Sequence, residues 1–376
     1  MRRNNGKQRK KSLQTLIACS ATAVAVISLT ARLPALLQGS DDLFPTLAAG
    51  TVLPEGVKAA WEENSAAVSS VSAAPAESAP EASHAPEPSE PASEASSSQA
   101  EETSTPSSQT ELSDSGYAVH ERQIGGSGTQ YENFYVKNTT GVDISIAEEL
   151  AKRPDITIKK DGTPQVLLMH THTSETYLPS DLGYYPEDFN PRSTDNNNNV
   201  ARVGEEVKKK LEAAGIGVIH DTTQHDVPSY NGSYDRSEVT VKNILAENPS
   251  IQVVLDLHRD AIGNAESGKT KPTFVADGKK AAQIMIISGC GASGNVNFPD
   301  WEYNLRFALR LQQAAETRYP GMTRPLKFCN SQYNLNLTHG SLLIEIGSDS
   351  NSMEEAVYTG QLLGDALVDV LNTLTE

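Results

Sequence analysis

Three shortages in the sequence narrow what this chain can do. Its 376 residues include only three cysteines, too few for a disulfide scaffold in a domain of ordinary size. Positive charge is also scarce: the formal net charge is −17, which argues against nucleic-acid binding because that requires a basic patch. A G-x-S-x-G nucleophile elbow is missing as well, which argues against a serine hydrolase. Any catalytic chemistry is therefore expected to depend on groups other than a serine nucleophile of this kind.

Charge is missing altogether from residues 13–31, which form an apolar segment. As a helix this segment would extend about 28 Å, close to the thickness of a bilayer core. The first eleven residues carry only basic charge, from Arg2, Arg3, Lys7, Arg9, Lys10 and Lys11. A basic flank stays in the cytoplasm, so the pattern predicts a single-pass cell-membrane protein with an extracytoplasmic C-terminal domain. An uncleaved anchor is favoured, although residues 16–19 resemble a lipoprotein cleavage box and cleavage or lipidation stays open.

Large apolar side chains are scarce in residues 65–128, where Ala, Ser, Pro and Glu dominate. Such a composition offers too little to bury and predicts disorder. The sequence thus divides into a basic cytoplasmic tail (1–12), a transmembrane anchor (13–31), a juxtamembrane segment (32–64), a disordered linker (65–128) and a catalytic domain (129–376). The linker would give the tethered domain reach.

Beyond residue 129 the hydrophobic pattern alternates between strands and helices. Short apolar or alternating runs predict strands at 134–138, 156–159, 166–169, 216–220, 251–257, 284–287 and 340–347. Amphipathic segments predict helices at 145–152, from 200 to the glycine at 215, and at 239–247, 301–318 and 353–374. This alternation predicts an α/β fold, with a mainly parallel twisted sheet flanked by helices on both faces.

Histidines and glutamates accompany three of these strands. His170, His172 and Glu175 follow the strand at 166–169, and His172 and Glu175 have the spacing H-x-x-E. His258 directly follows the apolar residues 251–257 of the next strand, and Glu345 interrupts the apolar run at 340–347. Imidazole and carboxylate groups are good zinc ligands, and ligands bind at the carboxyl ends of strands in open α/β sheets. We therefore expect these side chains to converge.

Four motifs resemble a known family: NFYVKNTTG at 133–141, HTHTSE at 170–175, DLHRD at 256–260 and EIG at 345–347. Together they resemble stage II sporulation protein P, a membrane-anchored peptidoglycan hydrolase of endospore-forming bacteria, from about residue 131 to the C-terminus. The resemblance implies a fold like that of zinc-dependent N-acetylmuramoyl-L-alanine amidases, related to zinc carboxypeptidases. It implies amidase and endopeptidase action on peptidoglycan during engulfment. It also implies work beside stage II sporulation protein D, a lytic transglycosylase, and stage II sporulation protein M.

One departure from the better-known amidases concerns the third metal ligand. Those enzymes carry a glutamate ligand at the start of the helix after the first motif, whereas here that helix begins Asn198-Asn199-Val200. The ligand is therefore Glu175 or His170, alongside His172 and His258. Glu175 is favoured because H-x-x-E supplies a ligand in the carboxypeptidases. His170 would then hold a ligand by a hydrogen bond.

The remaining roles follow from the zinc hypothesis. Glu345 is the expected general base, and Arg259 would stabilise the oxyanion or a substrate carboxylate, unless it forms an ordinary salt bridge with Asp260. Two other functions stay open: a non-catalytic wall-binding or scaffold module, and a zinc carboxypeptidase with a basic pocket. The bond that is cut and the pairing of Cys290 with Cys329 also stay open.

Overall fold

The predicted alternation of strands and helices is present in the part of the chain that the structure describes. The computed structural model describes residues 115–292, 294 and 297–376. Its strands are β1 (Gly116–Arg122), β2 (Thr129–Tyr131), β3 (Phe134–Asn138), β4 (Pro164–Met169), β5 (Tyr184–Pro186), β6 (Gly217–His220), β7 (Val253–Asp260), β8 (Gly263–Asn264), β9 (Gly268–Ala276), β10 (Lys279–Ala282), β11 (Ile284–Gly289), β12 (Leu326–Cys329) and β13 (Gly340–Ser348). Its helices are α1 (Ile146–Ala151), α2 (Val200–Ala213), α3 (Ser233–Glu247), α4 (Trp301–Arg318), α5 (Met353–Asn372) and a 3₁₀ turn (Leu335–Leu337).

The main sheet has eight strands in the order β2-β3-β12-β11-β13-β7-β4-β6. The pairs along β13-β7-β4-β6 and β3-β12-β11 are all parallel, while β2–β3 and β11–β13 are antiparallel. The prediction of a mainly parallel sheet is thus confirmed. Because β13, β7 and β4 are neighbours that run in the same direction, their carboxyl ends meet at one edge.

Both faces of the sheet are covered at β4, as predicted. Successive residues of β4 belong to different hydrophobic clusters: Val166 and Leu168 lie in a large one, and Leu167 and Met169 in a small one. The small cluster includes Val241 of α3, while the large one contains the apolar faces of α2, α4 and α5. Side chains alternate across a strand, so β4 is covered by helices on both sides.

A second sheet has the order β10-β9-β1-β5, with β8 paired to β9. Strand β1 lies parallel to β9 and antiparallel to β5. The predicted linker therefore ends too late, because residues 116–122 form a strand. Only Tyr117 and Val119 of β1 are half-buried, so the segment has little apolar character of its own. Its order comes from pairing with β5 and β9, which are distant in the sequence.

The pairing of β1 with β5 predicts the effect of a small substitution. A Cβ atom at Gly116 would lie 2.3 Å from the carbonyl oxygen of Tyr185 in β5. Gly116→Ala must displace one of the two strands, and we expect it to lower the free energy of unfolding by roughly 1–3 kcal/mol. Urea unfolding of the full-length protein measures this. Gly125→Ala is the control, since no atom lies within 4 Å of its Cβ position. Equal stability of both variants would contradict the β1–β5 pairing.

Several predicted boundaries need correction. The alternating segment at 156–159 is not a strand: it forms one isolated bridge, between Ile158 and Thr375, and its alternation reflects the burial of Ile156 and Ile158. Helix α3 begins at Ser233 rather than at residue 239. The predicted anchor (13–31) and most of the predicted linker lie outside the described residues. Within residues 115–292, 294 and 297–376, none of the helices combines the length and apolar character needed to cross a membrane.

Candidate metal centre

Three of the predicted ligands come together at the carboxyl edge of the main sheet. His172 and Glu175 lie on the turn that follows β4, and His258 lies in the neighbouring strand β7. The turn is closed by a hydrogen bond from the backbone N–H of Glu175 to the carbonyl oxygen of His172 (3.0 Å). One ligand atom from each side chain lies within 4.8 Å of the others, and all three residues are buried.

The Glu175 carboxylate lies between the two imidazoles. Its Oε1 is 3.6 Å from His172 Nδ1, and its Oε2 is 3.4 Å from His258 Nδ1. Burial alone would raise the pKa of Glu175, but the hydrogen bond to His258 and the charge of Arg259 lower it below its usual value. Burial lowers the pKa of His172 to about 3. At neutral pH the cluster thus offers an ionised carboxylate and a neutral imidazole, the forms that bind a metal.

The surroundings of the two histidines fit a metal ligand set. His172 Nε2 is buried and has no hydrogen-bond partner among the described residues, an arrangement that is costly unless a cation or water completes it. His258 Nε2 lies 2.8 Å from Asp256 Oδ1, a close ionic contact that lacks the in-line geometry of a hydrogen bond. Burial would lower the pKa of His258, but the neighbouring carboxylates of Asp256 and Glu175 together outweigh it and raise that pKa above its usual value. A carboxylate behind a histidine typically orients metal-binding imidazoles.

His170 is not a member of this cluster. Its Nδ1 lies 2.9 Å from the carbonyl oxygen of Leu257, and its Nε2 lies 2.9 Å from Nε2 of His220. Burial and the neighbouring His220 lower its pKa to about 3. The geometry therefore favours Glu175 over His170 as the third ligand. The expectation that His170 holds a ligand side chain is wrong, since its ring contacts the backbone beside His258 instead.

Glu345 lies next to the cluster because of the strand register. In the parallel pair of β13 and β7, Glu345 stands opposite His258. Its side chain is buried and its Oε2 has no hydrogen-bond partner among the described residues. Burial, together with the charge of Asp260, raises the pKa of Glu345 to about 8. No described arginine pairs with it: Arg324 forms its ion pair with Asp260, at 2.9 Å.

Arg259 has a different environment from the predicted one. Its Nε donates to the carbonyl oxygen of Thr176 (2.9 Å), and its NH2 donates to that of Pro191 (2.7 Å). Its NH1 donates to the backbone carbonyl of Asp260 (3.4 Å) and not to the Asp260 carboxylate. The alternative of a salt bridge between Arg259 and Asp260 is therefore wrong. The buried guanidinium thus binds Pro191 of the loop at 187–199 and Thr176 through their backbone carbonyls, so a positioning role fits Arg259 better than contact with substrate.

Sequence reasoning missed the groups that surround His172. The ring of Tyr230 stacks on His172 with 4.3 Å between centroids, and Tyr234 approaches its edge at 5.5 Å. Arg192 lies over the ring of Tyr230 and pairs with Asp226. All four belong to long loops or to the first turn of α3, where no periodic pattern marks a contact. The two described cysteines, Cys290 and Cys329, are buried free thiols and do not pair.

A family model and a curated relative both match this chain, and both point to the same family. The model of the family "Stage II sporulation protein P (SpoIIP)" matches residues 51–368. Stage II sporulation protein P of Bacillus subtilis (strain 168) is 29% identical over 289 residues, covering 69% of this chain and 67% of the relative.

Some solved structures also match this chain, at low sequence identity. The CwlD amidase from Clostridioides difficile, in complex with the GerS lipoprotein, matches with 12% identity and a TM-score of 0.36, covering 56% of this chain and 98% of that one. The N-acetylmuramoyl-L-alanine amidase AmiC2 of Nostoc punctiforme matches with 10% identity and a TM-score of 0.33, covering 56% and 96%. The family model spans well over half of the sequence, and the chain therefore belongs to the stage II sporulation protein P family.

Proposed function

We propose that this protein is a zinc-dependent peptidoglycan hydrolase. It cleaves the N-acetylmuramoyl-L-alanine amide bond, and stem-peptide cross-links as well, during engulfment in endospore formation. The observation that carries the proposal is the buried cluster of His172, Glu175 and His258 beside Glu345, whose Oε2 has no hydrogen-bond partner among the described residues. Membership of the stage II sporulation protein P family supports the biological setting.

His172, Glu175 and His258 would hold the zinc ion. Zinc bound by two imidazoles and a carboxylate lowers the pKa of water and polarises a carbonyl group. The chain fixes these ligands firmly, because Arg259 N donates to Glu175 Oε2 (3.1 Å) and Asp256 lies behind His258. Asp256 is itself held by Thr171, whose N–H and hydroxyl donate to its two oxygens at 2.8 and 2.7 Å.

Glu345 moves the proton in this mechanism. Its Oε2 accepts a proton from the attacking water while the water oxygen bonds to the carbonyl carbon, and it returns that proton to the amine nitrogen as the C–N bond breaks. Its pKa, raised to about 8 by burial and by Asp260, would leave it protonated in the absence of a cation. The positive charge of a divalent ion held by His172, Glu175 and His258 would lower that pKa and restore the base.

The N-terminal part of the chain completes the proposal. Residues 13–31 anchor the protein in the cell membrane, and the Ala/Ser/Pro/Glu-rich segment tethers an extracytoplasmic catalytic domain that reaches the wall. Stage II sporulation proteins D and M are the proposed partners. The apolar run and its basic flank support the anchor.

Product analysis tests the proposed function. Full-length protein in detergent is incubated with intact peptidoglycan, and the soluble products are identified by mass. An amidase releases stem peptides with a free L-alanine amino group, an endopeptidase releases free amines from cross-links, and a carboxypeptidase releases single C-terminal amino acids. We expect the first two products. Release of single amino acids alone, or binding without any bond cleaved, would contradict the proposal in favour of a carboxypeptidase or a wall-binding module.

A further inference from the structure

A second arginine, Arg192, lies beside the cluster and is more exposed to solvent than the buried Arg259. Arg192 belongs to the loop at 187–199, and its NH2 is 3.7 Å from Oε1 of Glu175. The Arg192 side chain is 29% exposed, whereas that of Glu175 is 7% exposed. Arg192 is thus a cation that borders both the buried carboxylate and the solvent from which a substrate arrives.

The two ends of this guanidinium have different environments. NH1 donates to Asp226 Oδ2 (2.7 Å) and to Ser174 Oγ (3.4 Å), so that end is occupied. NH2 is too far from Glu175 for a hydrogen bond at 3.7 Å, and it keeps a donor close to the cluster. A free donor of this kind suits a single oxygen atom. A carboxylate would prefer a pair of parallel donors, one of which is already taken here.

The position of Arg192 is fixed before any substrate binds. Its Cζ lies 5.0 Å from the ring centroid of Tyr230, and that ring stacks in turn on His172. The Asp226 partner is buried, with a side chain 1% exposed, and it also accepts from the backbone N–H and the hydroxyl of Ser174. A donor held in advance at the place where charge develops costs no reorganisation during the reaction.

We propose that Arg192 is a catalytic residue: its NH2 donates to the carbonyl oxygen of the scissile amide as negative charge develops there. The inference rests on the proposed hydrolytic function and assigns to Arg192 the role that the sequence suggests for Arg259. Arg192 forms and breaks no covalent bond. The water oxygen bonds to the carbonyl carbon, Glu345 carries the proton, and the C–N electron pair leaves with the amine, while Arg192 stabilises the oxygen.

Arg192→Lys in the full-length protein tests this role while keeping the ion pair. The ammonium of lysine can stay with Asp226 but offers no second donor at the position of NH2. We expect an unchanged melting temperature and zinc content, a KM close to that of the wild type, and a kcat lower by roughly 10²–10³-fold, as for loss of one oxyanion donor. Arg192→Gln should lose at least as much. Arg202→Gln is the matched control, because Arg202 is 33% exposed and forms an ion pair with a buried carboxylate, Glu206, within α2.

Binding of a phosphinate analogue of the scissile bond gives a readout that a purely structural role would not change. The tetrahedral anion of this probe imitates the charge on the reacting carbonyl. We expect Arg192→Lys to weaken its affinity by about the same factor as kcat, and to leave binding of uncleaved peptidoglycan unchanged in a Glu345→Gln background. Wild-type kcat and phosphinate affinity in Arg192→Lys would overturn the inference. Failure of the wild type to hydrolyse peptidoglycan would instead overturn the proposed function.

Discussion

Glu345→Gln should leave zinc content and peptidoglycan binding intact and slow the hydrolysis of peptidoglycan by roughly 10²–10⁴-fold, the usual contribution of a general base. Glutamine keeps the shape of the side chain and fits the same buried place in β13, but it cannot take a proton. Zinc analysis and product release on one preparation measure both effects.

Two other outcomes would change the assignment of Glu345. Loss of zinc in Glu345→Gln would make Glu345 a ligand, and normal turnover would make it structural. Glu355→Gln is a useful control, because Glu355 is also buried but forms an ion pair with Lys271 (2.8 Å) and caps α5. We expect it to lower stability without a selective loss of turnover.

The raised pKa of Glu345 also predicts how the stability of metal-free protein depends on pH. In the folded state the carboxyl holds its proton up to about pH 8, whereas the unfolded chain releases it near its ordinary value of 4.5. The folded state therefore binds more protons between these values. The contribution of Glu345 to stability is fully present below pH 4.5 and is lost as pH rises to about 8. Glu345→Gln should remove this part of the pH dependence in urea unfolding of chelator-treated protein.

The ligand variants should show the largest losses. His172→Ala and His258→Ala each remove one of three protein ligands, so we expect both zinc and hydrolysis to fall below detection. Glu175→Ala should lower the zinc content about as much as His172→Ala. His170→Ala should cost less than the roughly 10–100-fold in metal affinity that is typical of a direct partner of a ligand, because its ring contacts the backbone at Leu257 and His220 rather than a ligand side chain. Zinc content after dialysis and activity with added zinc measure this series.

The order of these effects decides the third ligand. A loss in His170→Ala as large as in His172→Ala, with zinc retained in Glu175→Ala, would make His170 the ligand. His225→Ala is the matched control for a buried histidine outside the cluster, since its Nδ1 contacts the carbonyl oxygen of His170 and its Nε2 contacts Thr240.

The core of the site could be predicted from sequence because it depends on local patterns. Runs of apolar residues predicted the strands β4, β7 and β13. The histidines and glutamates beside or inside these runs were therefore easy to recognise as candidate site residues. In a mainly parallel sheet the carboxyl ends of neighbouring strands meet at one edge, so His172, Glu175 and His258 converge there. The register that sets Glu345 beside His258 follows from the pairing of β13 with β7.

The parts that sequence did not reveal depend on contacts between distant segments. Strand β1 has no strong apolar pattern and is ordered by β5 and β9. A basic residue beside a metal motif suggests a catalytic arginine, but the sequence does not show that the guanidinium of Arg259 is bonded to the backbone of Thr176 and Pro191. The same limit hid Arg192, whose charge reaches Glu175 only because its loop pairs with residues 174–176.

The zinc content of purified full-length protein, measured together with hydrolysis before and after chelation, tests the central claim most directly. The account predicts about one zinc per chain, hydrolysis of peptidoglycan that stops on chelation and returns with added zinc, and loss of both in His258→Ala. Full hydrolysis by metal-stripped protein, or zinc bound equally well by His258→Ala, would contradict a zinc centre at His172, Glu175 and His258.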